Sequence, residues 1–479
     1  MEELLSISAT QMAARLRRGA ISSSALVELH IAQILKVNPA LNAMVHTRFD
    51  EARAEAQLAD ERLRAGGNSL PPLLGVPCSI KEAFALEGMP NCSGLVSRKD
   101  FRCSEDATGT ARYRAAGAIP LGVTNVSELC MWMESANNVY GRTNNPYNLG
   151  RIVGGSSGGE AALVASCAAP FGLASDVGGS IRMPAFFNGV FGHKPTGGLI
   201  PNWGQYPNGG NETGRYLTSG PICRHAEDIW PLVRILAGPD GKDPHVIPFN
   251  LGDPAAIEIA RLRVFDVPDN GWLKIHPDLR RAQQGAARAL SDAGSQVETR
   301  RFDGFKKSFD IWSAMMHLSG GPSFKELLGE GEPINACRHL VKTLAGKSPH
   351  TLPALGLGLL ESLQGLRPDH SMTSLRRGLD LKRQMAEVLG NDGVLLFPSY
   401  TTTAPVHHKP LLPPFNWVYT AIFNALELPV TQVPLGLNGE GLPVGIQVVG
   451  SHGNDHVTVA VAQFLESACG GWVASKRQH

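Results

Sequence analysis

Residues Gly154–Pro184 read GGSSGGEAALVASCAAPFGLASDVGGSIRMP, two glycine-flanked serine clusters joined by a small-residue segment. The first offers Ser156 and Ser157 between paired glycines, and the second offers Ser180 after Gly178 and Gly179. Serine oxygen bordered by glycine suits covalent acyl chemistry, because an acyl carbonyl must approach the backbone closely and successive amide N–H groups can then converge on its oxygen. A phosphate-cradling loop is also glycine-rich, but no GK[ST] follows either cluster, and no strand–GxGxxG–helix order with a downstream acid is evident. A flexible Gly/Ser linker would be solvated, whereas Ala161–Ala169 is Ala-rich and apolar and Phe186, Phe187, Val190 and Phe191 follow directly. The stretch therefore reads as a buried catalytic segment.

Hydrophobic residues at 43% and charged residues at 18% give the 479-residue chain material for a substantial core. A formal net charge of +1 and the lack of any Lys/Arg run argue against nucleic acid as a partner. Eight cysteines without a C-x-x-C pair argue against a zinc ribbon or a disulfide framework and favour reduced, mostly buried thiols in a cytoplasmic setting. The opening MEELLSISATQMAARLRRG has no apolar h-region, and no apolar run of about twenty residues occurs, so neither a signal peptide nor a spanning helix is expected.

Ser8 with Gln11 predicts a helix ending near Gly19, and the serines at 22–24 open a second helix with Val27, Ile31, Ile34 and Leu35 on one face. A third, mostly solvated, runs from about Phe49 to Arg64. Gly75–Lys81 reads as a buried strand that ends on a lysine, and Ile119–Val123 as another. Alternation of strand and helix implies a layered α/β architecture with a largely buried mixed sheet. Residues 239–254 mark a soft boundary, after which helical text dominates to Leu389. Strands return at Val394–Phe397, Pro429–Pro434 and Val444–Val449. The expected organisation is one unit: helices over 1–70, a catalytic core over 71–238, a mainly helical portion over 255–390, and strands over 391–479 that complete the sheet. Leu352–Leu360 is apolar on every side and at this length reads as a buried core helix.

Three segments together resemble the amidase signature family of serine hydrolases. They are GVPCSIK (75–81), GGSSGG (154–159) and DVGGSIR (176–182), in the family's order. Similarity continues through TNVSELCMWMES, FGHKPTGGLIP and LPVTQVPLGLNGEGLPVGIQVVG, covering nearly the whole chain. SELCMW, NNPYNL and SIRMPAFFNGVFGHKPT are most similar to fatty-acid amide hydrolases, particularly the second vertebrate type. The vertebrate enzymes carry an N-terminal membrane segment, and the opening text departs from them there.

The resemblance implies a large twisted mixed sheet flanked by helices on both faces. It implies Ser180 as nucleophile, Ser156 on a cis peptide as the bridge, and Lys81 as the final base, with Ser157 the rival bridge. A lysine serves as base when burial lowers its pKa toward roughly 7–8. The backbone N–H groups of Val177, Gly178, Gly179 and Ser180 are the expected oxyanion hole, each good donor contributing about 3–4 kcal/mol. Gly155, Ser157, Asp176 and Arg182 are expected as structural support, the last two as an ion pair fixing the turn. Cys130, Met131 and Trp132 fall where relatives line the acyl pocket, and a region of those relatives comparable to 340–365 forms an apolar cap beside the acyl channel, which makes cap and core helix equal readings of Leu352–Leu360. Fifteen histidines are available as bases, but most stand alone, and His407-His408 beside Pro405 and Pro410 reads as an exposed loop. No metal-ligand spacing is present and no cofactor is expected. The reaction so implied is hydrolysis of small-molecule amides with apolar acyl or aryl groups, with esters and carbamates open as substrates and a homodimer open as the assembly. The alternatives are the glutaminase subunit of a tRNA-dependent amidotransferase and a non-catalytic binding protein of the same fold.

Overall fold

Apolar runs that the sequence marks as strands pair into one mixed sheet of 11 strands in a computed structural model that describes residues 2–67, 69–208, 211–364 and 368–475. The first half of the chain supplies β1 (Met44–Thr47), β2 (Pro77–Lys81), β3 (Ile119–Thr124), the hairpin strands β4 (Ala136–Asn137) and β5 (Gly141–Arg142), β6 (Phe171–Asp176), β7 (Phe191–Lys194) and β8 (Thr218–Cys223). The second half supplies β9 (Arg263–Asp266), β10 (Gln296–Thr299), β11 (Gly393–Pro398), β12 (Val430–Leu437) and β13 (Pro443–Val449). The order is β1-β3-β2-β6-β8-β7-β12-β13-β11-β9-β10, with β4 and β5 apart. Parallel pairing joins β2 to β3 and β6, and β9 to β10 and β11; the other neighbours run antiparallel.

Every residue of β2, β3, β6, β8, β11 and β13 is buried, which is why their text is near-continuously apolar rather than alternating. Strand period still sorts the side chains. In β11, Val394 and Leu396 join one cluster with Ala286, Leu290 and Leu465, while Leu395 and Phe397 join another with Tyr419, Ile422 and Phe423. Helices thus cover both faces. Among the described residues, no helix is long and apolar enough to cross a membrane.

The N-terminal helices start where their caps predict. Ser8 Oγ accepts from the Gln11 amide at the head of Ala9–Arg17, and Ser22 Oγ from the Ala25 amide at the head of Ser23–Leu41. Val27, Ile31 and Ile34 are buried, but Leu35 is 62% exposed, because it lies about 100° around the helix from Ile34. The Phe49–Ala65 helix buries a stripe of Ala52, Ala56 and Ala59, residues small enough to let it sit close against Ser23–Leu41. The portion 255–390, expected to be mainly helical, also supplies β9 and β10. These are four-residue strands, RVFD and QVET, too short and too charged to stand out in sequence.

Candidate active site

Parallel pairing of β2 with β6 brings two strand ends side by side: Lys81 closes β2, and Ser175 with Asp176 closes β6. Lys81 has no solvent exposure, and its Nζ lies 2.7 Å from Ser156 Oγ and 3.0 Å from Ser175 Oγ. The Gly155–Ser156 peptide is cis. A Cβ on Gly155 would fall 2.1 Å from the Trp132 carbonyl oxygen, so only glycine fits there. Ser157 turns elsewhere. Its hydroxyl donates to the Ser175 carbonyl at 3.4 Å and its amide donates to the Ser180 carbonyl at 3.3 Å, while it stands just before the Gly158–Ala165 helix. Of the two adjacent serines, Ser156 is the one whose hydroxyl meets the lysine.

Burial pushes the Lys81 amine below its usual range, while the neighbouring Cys130, Asp176 and Glu160 pull it part of the way back. Glu160 is buried beneath the same strands, accepting from Ser79 Oγ at 2.5 Å and Thr124 Oγ1 at 2.8 Å. Burial raises its carboxyl to about 8 against these hydrogen bonds. Gly172 makes the room: a Cβ there would stand 1.7 Å from Glu160 Oε2.

Ser180 is 7% exposed and follows a turn wrapped around Asp176. Asp176 accepts from Arg182 Nη2 at 2.9 Å and Nε at 3.0 Å, and from the amides of Gly179 and Ile181 at 2.7 and 3.0 Å. Burial alone would raise its carboxyl, but the Arg182 guanidinium holds it well below the carboxylate range. Arg182 in turn donates to Asn424 Oδ1 at 2.6 Å and to Gln447 Oε1 at 2.8 Å, so both charges are fully satisfied away from water. The amide of Gly179, one of the four expected oxyanion donors, is therefore committed to Asp176. The carbonyls of the turn are pinned as well: Val177 O by Trp312 Nε1 at 2.8 Å, Gly178 O by Thr420 Oγ1 at 2.7 Å, and Gly179 O by the Met183 amide at 2.8 Å.

Ser175, Val177, Gly178 and Ser180 line a cavity of about 600 Å³. Cys130, Met131 and Trp132 line it too, as do Trp312 and Trp417. Leu357 and Leu360, from the Leu352–Gln364 helix, also line it. Leu355 does not: it is fully buried, beside Ala354, which packs in a cluster with Phe324, Leu328 and Leu129.

Among the described residues, the histidines fall outside the cavity wall with the exception of His317, which is exposed at its rim. His407, expected in an exposed loop, instead places Nδ1 2.6 Å from Glu134 Oε1 and is largely covered, with only His408 facing solvent. The covering comes from buried Glu134, whose carboxylate needs a partner once desolvated. His193, on β7, meets Asp455 at 3.1 Å and Thr431 of β12 at 2.9 Å in a buried cluster, and neither His193 nor Asp455 lines the cavity. Sequence reasoning missed Ser175, Glu160, Trp312, Thr420 and Asn424. Thr420 and Asn424 carry a readable signal: two polar residues four apart, on one face of the otherwise apolar VYTAIFNA helix.

With this geometry in view, the chain belongs to the amidase family, whose pattern, described as Amidase, matches residues 25–459. It is an amidase, a hydrolase of amide C–N bonds. It is 46% identical over 486 residues to fatty-acid amide hydrolase 2-B of Danio rerio, spanning 98% of this chain and 91% of that protein. It is 44% identical over 491 residues to fatty-acid amide hydrolase 2 of Homo sapiens, with coverage of 98% and 91%. The solved structure of 6-aminohexanoate cyclic dimer hydrolase complexed with substrate superposes with a TM-score of 0.82 at 26% identity, over 99% of this chain and 100% of that one.

Proposed function

We propose that the protein hydrolyses carboxamides bearing an apolar acyl or aryl group through a Ser180–Ser156–Lys81 relay and an acyl-enzyme, with esters and carbamates as further substrates of the same site. The observation that carries this reading is the 2.7 Å contact between a fully buried lysine amine and Ser156 Oγ, beside a largely apolar cavity that Ser180 lines.

In this mechanism Ser180 Oγ attacks the substrate carbonyl while its proton passes to Ser156 Oγ, and the Ser156 proton passes to the neutral Lys81 amine. Negative charge gathers on the carbonyl oxygen, where the N–H groups of Val177, Gly178 and Ser180 receive it; Gly179 is left out because its amide serves Asp176. The C–N bond then breaks as the proton returns from Lys81 through Ser156 to the leaving nitrogen. Water repeats the sequence on the acyl-enzyme, losing its proton to the relay and releasing the acid and Ser180. Asp176 and Arg182 hold the turn and take no proton.

Substrate class follows from the walls. Trp312, Trp417, Met131 and the two leucines of Leu352–Gln364 offer an acyl chain or aryl ring a desolvated surface. The resemblance to fatty-acid amide hydrolases points the same way. The test is turnover of purified protein on long-chain amides, acyl anilides, aryl esters, aryl carbamates and glutamine, with fluorophosphonate labelling of wild type and Ser180→Ala. The expected result is turnover of the apolar substrates, with labelling and turnover both lost in Ser180→Ala, the latter by on the order of 10⁴–10⁶. Labelling retained at Ser156 or Ser157 in that variant would assign the nucleophile elsewhere, and turnover of glutamine alone would favour the glutaminase reading.

A further inference from the structure

Trp312 belongs at once to the cavity wall and to the backbone that faces the reacting carbonyl. Its ring lines the cavity edge-on to Trp417, with centroids 4.7 Å apart at 82°, while its Nε1–H donates to the Val177 carbonyl at 2.8 Å. The Val177–Gly178 peptide is trans, so that carbonyl and the Gly178 N–H point in opposite directions across one rigid plane. Fixing one fixes the other. The next two planes of the turn are held by Thr420, from the Val418–Ala425 helix, and by the Met183 amide, three residues past the nucleophile. The Val177–Gly178 plane is held from Ser308–Leu318, a helix of the 255–390 portion whose Phe309, Trp312 and Met316 face the cavity. Gly178 itself lies under the two indoles: a Cβ there would stand 3.6 Å from Trp417 Cε3 and 3.8 Å from Trp312 Cζ2.

We propose that Trp312 is a positioning residue that sets the Gly178 N–H against the developing oxyanion and makes that setting respond to the group bound in the cavity. The proposal rests on the Ser180 acyl-transfer reading. A long apolar acyl chain packs against the Trp312 ring and keeps Nε1 on the Val177 carbonyl, whereas a short acyl group leaves the ring without that contact. Chain length is then read in kcat as well as in KM, since part of the chain's binding energy goes into orienting the donor.

The experiment compares wild type with Trp312→Phe and with Trp312→benzothienylalanine, which keeps the bicyclic ring and lacks only the N–H. Kinetics on a long and a short acyl anilide are read beside two affinities. One is for a long-chain trifluoromethyl ketone, whose hemiketal with Ser180 places an oxyanion at the donors. The other is for the matching secondary alcohol, which forms none. Both variants are expected to lose on the order of tenfold in long-chain kcat, less than the loss of an oxyanion donor itself costs. The short-chain kcat falls less, the ketone affinity falls in step with the long-chain kcat, and the alcohol affinity stays. Should Trp312→Phe fail to fold, the benzothienyl variant decides. Wild-type kcat and ketone affinity in that variant, or a change confined to KM, overturns the proposal. Wild-type protein inert to both anilides and to fluorophosphonate overturns the acyl-transfer reading and this proposal with it.

Discussion

Lys81 sets the pH dependence of the proposed reaction. Below its folded pKa the side chain is an ammonium with no lone pair for the Ser156 proton; above it, the amine accepts. Burial depresses that pKa, so the rate should rise with pH through a value below the ordinary lysine range and then hold. Cys130, Asp176 and Glu160 nearby hold it only part of the way back toward that range. Lys81→Ala should abolish the titration and cut amide hydrolysis far more than ester hydrolysis, because an amine leaves only when protonated and a phenoxide does not need to be. The measurement is the amide-to-ester rate ratio with one shared acyl group, and a ratio equal to that of wild type would remove the lysine from leaving-group protonation. The text around Lys81, Ser156 and Ser180 was legible because glycine spacing survives as a pattern. Which of Ser156 and Ser157 meets the lysine was not legible, since adjacent residues share every local signal and differ only in which way the backbone turns them. Ser175 and the committed Gly179 amide were hidden for the same reason: both arise from the pairing of β2 with β6 and the wrap around Asp176.

At the level of the element, the Leu352–Gln364 helix meets both the core and the cavity, the two surfaces between which sequence left its reading divided. Text with no polar side has no preferred face, so periodicity cannot assign one. The neighbours assign it: Ala354 packs into the cluster of Phe324 and Leu328, Leu355 is fully buried, Leu357 lies against that cluster and lines the cavity, and Leu360 lines the cavity. Its start is anchored from the catalytic half, where the buried Glu128 carboxylate accepts from the Thr351 amide at 2.7 Å and meets His350 Nδ1 at 2.8 Å. The two faces should answer differently to the same substitution. Leu357→Asn or Leu360→Asn should raise KM for long-chain amides more than for short ones, and Leu360→Asn, at a 40% exposed position, should leave the melting temperature close to wild type. Leu355→Asn should destabilise by about 2–5 kcal/mol, because it removes buried apolar contact and strands an amide in the core. Chain-length kinetics beside thermal melts check both, and an equal loss on long and short substrates from the Leu357 and Leu360 variants would detach the helix from substrate.

Across the whole molecule, the α/β class was readable because buried strands are short apolar runs between helical stretches, but the sheet order was not. Which strand neighbours which depends on contacts between distant segments, and β9 and β10 are too brief to register. The docking of the N-terminal helices onto the catalytic core is one such long-range contact, and it has a titratable group at its centre. His30, on Ser23–Leu41, is fully buried with Nδ1 3.2 Å from the Ala168 carbonyl, and Gln33 Nε2 donates to the Ser166 carbonyl at 2.8 Å. Burial, with repulsion from Arg224, lowers the His30 pKa from 6.5 to about 3. Between those values the unfolded chain holds a proton on this residue that the folded chain does not, so stability falls as pH drops through the window, by about 1.4 kcal/mol per unit. Glu160 acts in the opposite sense: its carboxyl keeps a proton in the fold between the ordinary 4.5 and about 8, so its contribution falls as pH rises. The two slopes overlap and partly cancel, which makes the wild-type curve alone uninformative. The informative quantity is the stability of His30→Gln relative to wild type, measured by urea unfolding at successive pH values from 7 to 4, since glutamine can still donate to Ala168 and does not titrate. The variant should gain on wild type steadily as the pH falls below 6.5, and two curves that stay parallel would show that His30 is not held neutral by the fold.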